Sequence, residues 1–293
     1  MSVTGAPWLP RSIPDRSRLV ELPRGRVFVV DVGPDPATAG AEPPLLLVHG
    51  LLTTHFVFDR LIPRLAGRRR ILAVDLPGAG DSDRPAPTHA DDYSPEDLAG
   101  RLFALLDHLD VQVVDAYGHD YGGNVAFVMA AEAPERVRRS ILCAPLLLHP
   151  RVPFEGPLAL AASLGPEVFR RTVRRADLQR VLAQAACSPE LADESELHVF
   201  WDRLGRAGGR EATHAMLTHL SGVVRMRERF AELRTPTLLV WGDRDRIVPP
   251  EQGARLAELL PGPPELVLVE GSGHNPARER PEILARRIEE HCA

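Results

Sequence analysis

The sequence has 293 residues, about two domains' worth at ~150 residues each, although a single α/β unit can also reach this length. Hydrophobic residues make up 44% and charged residues 26%, a globular balance that argues against disorder and against a membrane-embedded body. The net charge of −5 lacks the basic footprint of a nucleic-acid partner, and every basic residue is arginine, which excludes phosphate-loop, Schiff-base and pyridoxal lysines.

In chain order, residues 1–24 hold no continuous apolar stretch and are broken by Pro7, Pro10, Pro14 and Pro23, unlike a secretory leader. Residues 27–31 read as a short strand. Compact apolar runs follow at 45–48, 71–74, 111–117, 141–144, 237–241 and 265–269, as expected for strands buried on both faces of a parallel sheet. Helical patterns at 56–65, 95–109, 124–133, 250–260 and 281–291 lie among them. Strands alternating with helices predict an α/β fold, a mostly parallel central sheet with helices on both faces. Between 146 and 230 the alternation stops, and only helical patterns appear, at 167–186 and 196–220. This is the signature of an inserted all-helical cap, 146–230, on a core made of 1–145 and 231–293.

Three cysteines, Cys143, Cys187 and Cys292, cannot all pair, and no Cys/His spacing suits zinc. No metal or organic cofactor is therefore expected. The longest apolar stretch, 157–164, is too short to span a bilayer. A soluble, reducing compartment, the cytoplasm, is the expected setting, without a membrane partner.

The chemistry-bearing motif follows the 111–117 run: Gly118-His119-Asp120-Tyr121-Gly122-Gly123, then a helical stretch. Strand, tight glycine-flanked turn and helix is the setting of a nucleophile elbow, which lifts its central side chain above the sheet at a helix N-terminus. That central residue is Asp120. A bare helix N-cap would also favour aspartate, but it would not need the surrounding glycines.

With this motif the chain resembles the α/β-hydrolase superfamily from about residue 27 to 291, and specifically its aspartate-nucleophile branch of epoxide hydrolases and haloalkane dehalogenases. His49-Gly50 stands where that superfamily has its oxyanion loop, and the Gly78/Gly80/Ser82 turn resembles its glycine-rich loop. Trp241-Gly242-Asp243-Arg244-Asp245 stands where the acid is carried, and Gly271-Ser272-Gly273-His274 where the histidine is carried. The resemblance implies a triad of Asp120, Asp245 and His274, with Asp243 a rival to Asp245 in the same turn. It also implies an oxyanion hole made by the backbone N–H groups of Leu51 and Tyr121.

An ionised carboxylate suits displacement at an sp³ carbon better than attack on an ester. Asp120 would form an alkyl ester, and His274, oriented by Asp245, would activate water to hydrolyse it. Epoxide opening is the first expectation and haloalkane dehalogenation the alternative. An ester or lactone hydrolase, or a non-hydrolytic biosynthetic member of the same fold, is a further one. The sequence departs from the family in lacking cap tyrosines, since the chain's three tyrosines are Tyr93, Tyr117 and Tyr121. It also has Tyr121 where dehalogenases place a tryptophan. The expected substrate-binding donors are therefore other cap residues: His149, His198, Trp201, His214 and His219. The implied partners are a small apolar molecule and water, and a homodimer is compatible with this reading.

Overall fold

A computed structural model of the protein describes residues 13–34, 42–148, 157–188 and 194–293. Eight strands form one sheet: β1 (Arg18–Val20), β2 (Val27–Val32), β3 (Leu45–Val48), β4 (Ile71–Val74), β5 (Val114–His119), β6 (Val137–Cys143), β7 (Thr237–Gly242) and β8 (Glu265–Val269). Their order is β1-β2-β4-β3-β5-β6-β7-β8. β2 pairs antiparallel with β1 and β4, and every later pairing is parallel.

The apolar runs fill both faces of the sheet because successive strand side chains alternate. Leu46, Val48, Leu72 and Val74 join one apolar cluster, with α2 (Pro95–His108) and α3 (Tyr121–Glu132). Leu45, Leu47, Ile71 and Ala73 join the other, with α1 (Ile62–Leu65) and the C-terminal helix. Of the helices framing the sheet, α2 shows most plainly why it starts where it does. Ser94 Oγ accepts from the Asp97 amide at 3.1 Å, and Pro95 occupies the first turn, where its missing N–H is harmless.

The stretch between β6 and β7 contains no strand among its described residues. It holds α4 (Pro157–Ser163), α5 (Pro166–Thr172), α6 (Arg175–Ala185), α7 (Glu194–Gly205), α8 (Gly209–Thr218) and α9 (Val223–Glu228). The chain then returns through β7 to α10 (Glu251–Leu259), β8, α11 (Pro276–Glu279) and α12 (Pro281–Cys292). No described helix is long and apolar enough to cross a membrane.

Two differences from the sequence reading have simple causes. β1 was not expected, because it is three residues long and only Val20 is buried. β5 runs on to His119 and α3 begins at Tyr121, leaving a single residue, Asp120, to make the turn. The sheet reverses its order of filling between β3 and β5, where Val48 pairs with Gly118. Loops leaving the C-terminal ends of strands on either side of such a switch point diverge and open a crevice. The loop after β3 and the turn after β5 meet there.

Candidate active site

Asp120 has φ 54° and ψ −121°, a left-handed backbone that a non-glycine residue adopts only when its surroundings impose it. The imposition is steric. A Cβ at Gly122 would lie 2.4 Å from the carbonyl oxygens of Val48 and His49, so only glycine lets α3 start this close to β3. A Cβ at Gly50 would meet Asp120 Oδ1 at 2.7 Å, so the loop after β3 must also be bare where the carboxylate stands. Asp120 makes no side-chain bond to its own helix. It is therefore not acting as an N-cap; its carboxylate is turned toward neighbouring loops.

Oδ1 of Asp120 accepts from the Leu51 amide at 2.8 Å. Oδ2 lies 3.2 Å from His274 Nε2, and His274 Nδ1 lies 2.8 Å from Asp245 Oδ2. The other Asp245 oxygen accepts from the amides of Ile247 and Val248 at 2.8 and 2.9 Å, which fixes that carboxylate. Asp243 is exposed and braces the Ser272 amide at 3.1 Å, so it stands apart from the imidazole.

Asp120, Asp245 and His274 are all buried. Burial opposes the charge on His274, but Asp245 and Asp120 outweigh it and raise the imidazole to about 10. Burial alone would raise the Asp120 carboxyl, yet the His274 hydrogen bond and charge, with help from the Leu51 amide, hold it below the usual carboxylate range. The two neighbouring carboxyl groups thus favour the protonated form of the imidazole. His49 is structural: its Nε2 accepts from the Leu76 amide at 3.0 Å and its Nδ1–H donates to the Gly50 carbonyl at 2.8 Å, bracing the loop that presents Leu51.

A cavity opens on Asp120 and His274. One wall is apolar: Leu178, Val181, Leu182 and Ala185 of α6, with Leu51, Leu52 and Ile247 of the core. The opposite character comes from Thr53, Arg60, Asn275 and Arg278, with Glu196 and Glu279 beside them. Arg278 is buried and lies 3.4 Å from Glu196 and 2.8 Å from Asp59. His119, the neighbour of Asp120, also lines the cavity. Its Nε2–H donates to the His274 carbonyl at 2.8 Å, and burial lowers it to about 4, so it is neutral.

Of the insert residues expected to bind substrate, the four that the structure describes do not line this cavity, and for those four the expectation is corrected. His198 is exposed on α7. Trp201 packs under the Arg210 guanidinium, 5.1 Å from its ring centroid, away from the cavity. His214 is buried, 3.0 Å from the Ala162 carbonyl, and half-buried His219 lies 3.0 Å from the Asp92 carbonyl. His149 lies outside the described residues. The cause is helix phase: Leu197, Phe200 and Leu204 form the buried stripe of α7, and His198 and Trp201 fall one step around from it.

The phenols also lie away from the cavity. Tyr121 donates to the Tyr93 carbonyl at 2.8 Å, Tyr93 donates to the Pro85 carbonyl, and Tyr117 is buried beside Cys143. The sequence did carry a signal for the true wall. Leu178, Val181, Leu182 and Ala185 recur at helical spacing, and Asn275 and Arg278 come one and four residues after the histidine.

One group among the described residues, His55, Asp75 and Asp81, brings potential metal ligands together. Its atoms are already engaged. Asp75 takes His55 Nδ1 at 2.9 Å and the Asp81 amide at 2.7 Å, and Asp81 pairs with Arg203 and Arg206. These residues fit a structural network better than a metal site.

The model of the alpha/beta hydrolase fold family matches residues 43–281. The chain is 29% identical over 252 residues to the uncharacterised hydrolase YugF of Bacillus subtilis, covering 83% of this chain and 88% of that one. It is 28% identical over 243 residues to a 2-hydroxy-6-oxo-2,4-heptadienoate hydrolase of Pseudomonas putida, covering 80% and 83%. The crystal structure of Cfl2 from Burkholderia cenocepacia superposes with a TM-score of 0.82 at 26% identity, over 97% of this chain and 98% of that one. With the strand order and the elbow described above, these matches show a hydrolase of the α/β fold, and the chain belongs to the α/β-hydrolase fold family.

Proposed function

We propose that the protein is a hydrolase in which Asp120 attacks an sp³ carbon, with an epoxide as the substrate class. The observation that carries this reading is the 2.8 Å bond from the Leu51 amide to Asp120 Oδ1. In an acyl-transfer enzyme that amide would be kept for the oxygen of the substrate's carbonyl. Here the nucleophile's own carboxylate occupies it, so a substrate ester or ketone finds that donor already taken. The same bond is useful in an alkyl-ester mechanism, because Oδ1 becomes the oxyanion when water attacks the ester.

In the first step Oδ2 of Asp120 bonds to a ring carbon, and the carbon–oxygen bond breaks to an alkoxide. Esterification removes the negative charge beside His274, so the imidazolium loses one of the two partners that raise it. The proton it releases neutralises the alkoxide through cavity water. Neutral His274, held by Asp245, then takes a proton from water, which adds to Cγ of Asp120. The Leu51 amide and the Tyr121 amide at the head of α3 hold the tetrahedral oxyanion. Collapse returns the imidazole's proton to the departing oxygen, releases a diol and, after a final proton transfer, restores the Asp120 carboxylate.

Epoxide opening ranks above dehalogenation because of the donors present. The Trp241 indole N–H is spent on the Val248 carbonyl at 2.9 Å, and Trp201 lies off the cavity. At the polar wall Thr53 donates to the Gly50 carbonyl at 2.9 Å and Arg278 is paired with Asp59 and Glu196, so the Asn275 side-chain amide is the group we assign to receive an alkoxide. The helical insert serves as the cap over the site. The name of the Pseudomonas putida relative points to an oxo-substituted dienoate, and the occupied Leu51 amide argues against such a carbonyl substrate here.

A single turnover in heavy-oxygen water tests the reading. The diol should receive its new oxygen from Asp120, leaving the label in the enzyme. Label in the first-formed diol would contradict it, and turnover of p-nitrophenyl esters without turnover of epoxides or haloalkanes would overturn it.

A further inference from the structure

The C-terminal end of α6 makes an unusual set of contacts with the two loops that carry the acid and the histidine. The His274 amide donates to the Ala185 carbonyl at 2.7 Å. The approach is tight: a Cβ at Gly273 would lie 2.2 Å from that carbonyl oxygen. On the other loop, the Arg246 guanidinium donates to the carbonyls of Ala183 and Ala186 at 2.9 and 2.7 Å. Gln184 completes the set by donating its side-chain amide to the Arg246 carbonyl at 3.1 Å. Arg246 directly follows Asp245 and precedes Ile247, which lines the cavity.

A cation on the last carbonyls of a helix is favourable, because those groups lack intrahelical partners and carry the negative end of the helix dipole. Arg246 brackets Ala185 on both sides. It therefore fixes the one carbonyl on which the backbone of His274 rests, and it does so from the loop that orients the imidazole.

We propose that Arg246 is a positioning residue for ester hydrolysis, locking the α6 wall of the cavity to the Asp245 and His274 loops. This rests on the alkyl-ester reading above. Attack by Asp120 does not depend on the lock, because Leu51 and the elbow hold that carboxylate and the alkoxide takes its proton through cavity water, which needs no aimed imidazole. Activation of water does, because it needs the imidazole aimed at Cγ of the ester.

Rapid-quench mass spectrometry with styrene oxide as the probe separates the two steps. Arg246→Ala should alkylate Asp120 at the wild-type rate but hydrolyse the ester about 10- to 100-fold more slowly, the range expected of a misplacement near 1 Å. Ester should then accumulate in the steady state, and kcat should fall without a rise in KM. Arg246→Lys, still able to donate to one helix carbonyl, should recover part of the hydrolysis rate. Wild-type hydrolysis in Arg246→Ala, equal slowing of both steps, or a lysine variant no better than alanine would overturn the assignment. His274→Gln run in parallel distinguishes the two levels. If it forms no ester, the alkyl-ester reading falls and this assignment falls with it. If it forms ester while Arg246→Ala behaves as wild type, only this assignment falls.

Discussion

The amide of Leu51 donates to Oδ1 of Asp120 at 2.8 Å, across the switch point between β3 and β5. This contact joins the loop after one strand to the elbow after its neighbour. It leaves Oδ2 as the carboxylate oxygen that faces His274, and it occupies the Leu51 amide.

Asp120→Ser should therefore exchange activities. The shorter side chain withdraws from the Leu51 amide, and a hydroxyl next to His274 is suited to acyl transfer. Epoxide opening should fall by roughly six orders of magnitude, the scale of nucleophile removal, while hydrolysis of p-nitrophenyl acetate appears above the wild-type level. Steady-state rates on the two substrates check this. An Asp120→Ser protein that still opens epoxides would contradict the assignment of the nucleophile.

The charge state of the site predicts how stability varies with pH. His274 is raised from 6.5 to about 10 by its two carboxylates, so the folded chain holds that proton more tightly than the unfolded chain. Its contribution is complete below pH 6.5 and is lost as pH rises through about 10. Asp120 is lowered from 3.8, so its contribution is present above that value and is lost on acidification. Urea midpoints measured from pH 6 to 10 should fall in the wild type. They should fall less in Asp120→Asn, which removes one of the charges holding the proton. Equal slopes in the two proteins would show that the carboxylate and imidazole do not interact.

The elbow's backbone is held by packing, and Gly122→Ala tests this apart from chemistry. The added Cβ would collide with the carbonyls of Val48 and His49 at 2.4 Å. α3 must then move off β3, at a cost of about 1–3 kcal/mol typical of overpacking. Chemical denaturation measures the loss, and activity should fall further than stability because the shift displaces Asp120.

Most of this fold could be read from the sequence because a parallel sheet buried on both faces leaves uninterrupted apolar runs. The residues at 45–48 and 71–74 are strands β3 and β4 to the residue. Asp120, Asp245 and His274, which the fold joins in one hydrogen-bonded series, each stand in a short motif next to a strand end. The cavity wall contributed by the insert was not. Which side of α7 faces the core depends on how that helix packs, and its histidine and tryptophan drew attention from the Leu197, Phe200 and Leu204 stripe that decides it. Arg246 was equally hidden, because its partners are backbone carbonyls of α6, some 60 residues earlier, and no side-chain pattern marks them.

The central claim is that the Asp120 carboxylate bonds to carbon during turnover. It is tested most directly by incubating His274→Gln with styrene oxide and mapping the digested protein by mass spectrometry. The account predicts a peptide containing Asp120 heavier by one substrate, stable for as long as the water-activating base is missing. An unmodified peptide, with the wild type still turning over the same epoxide, would contradict it.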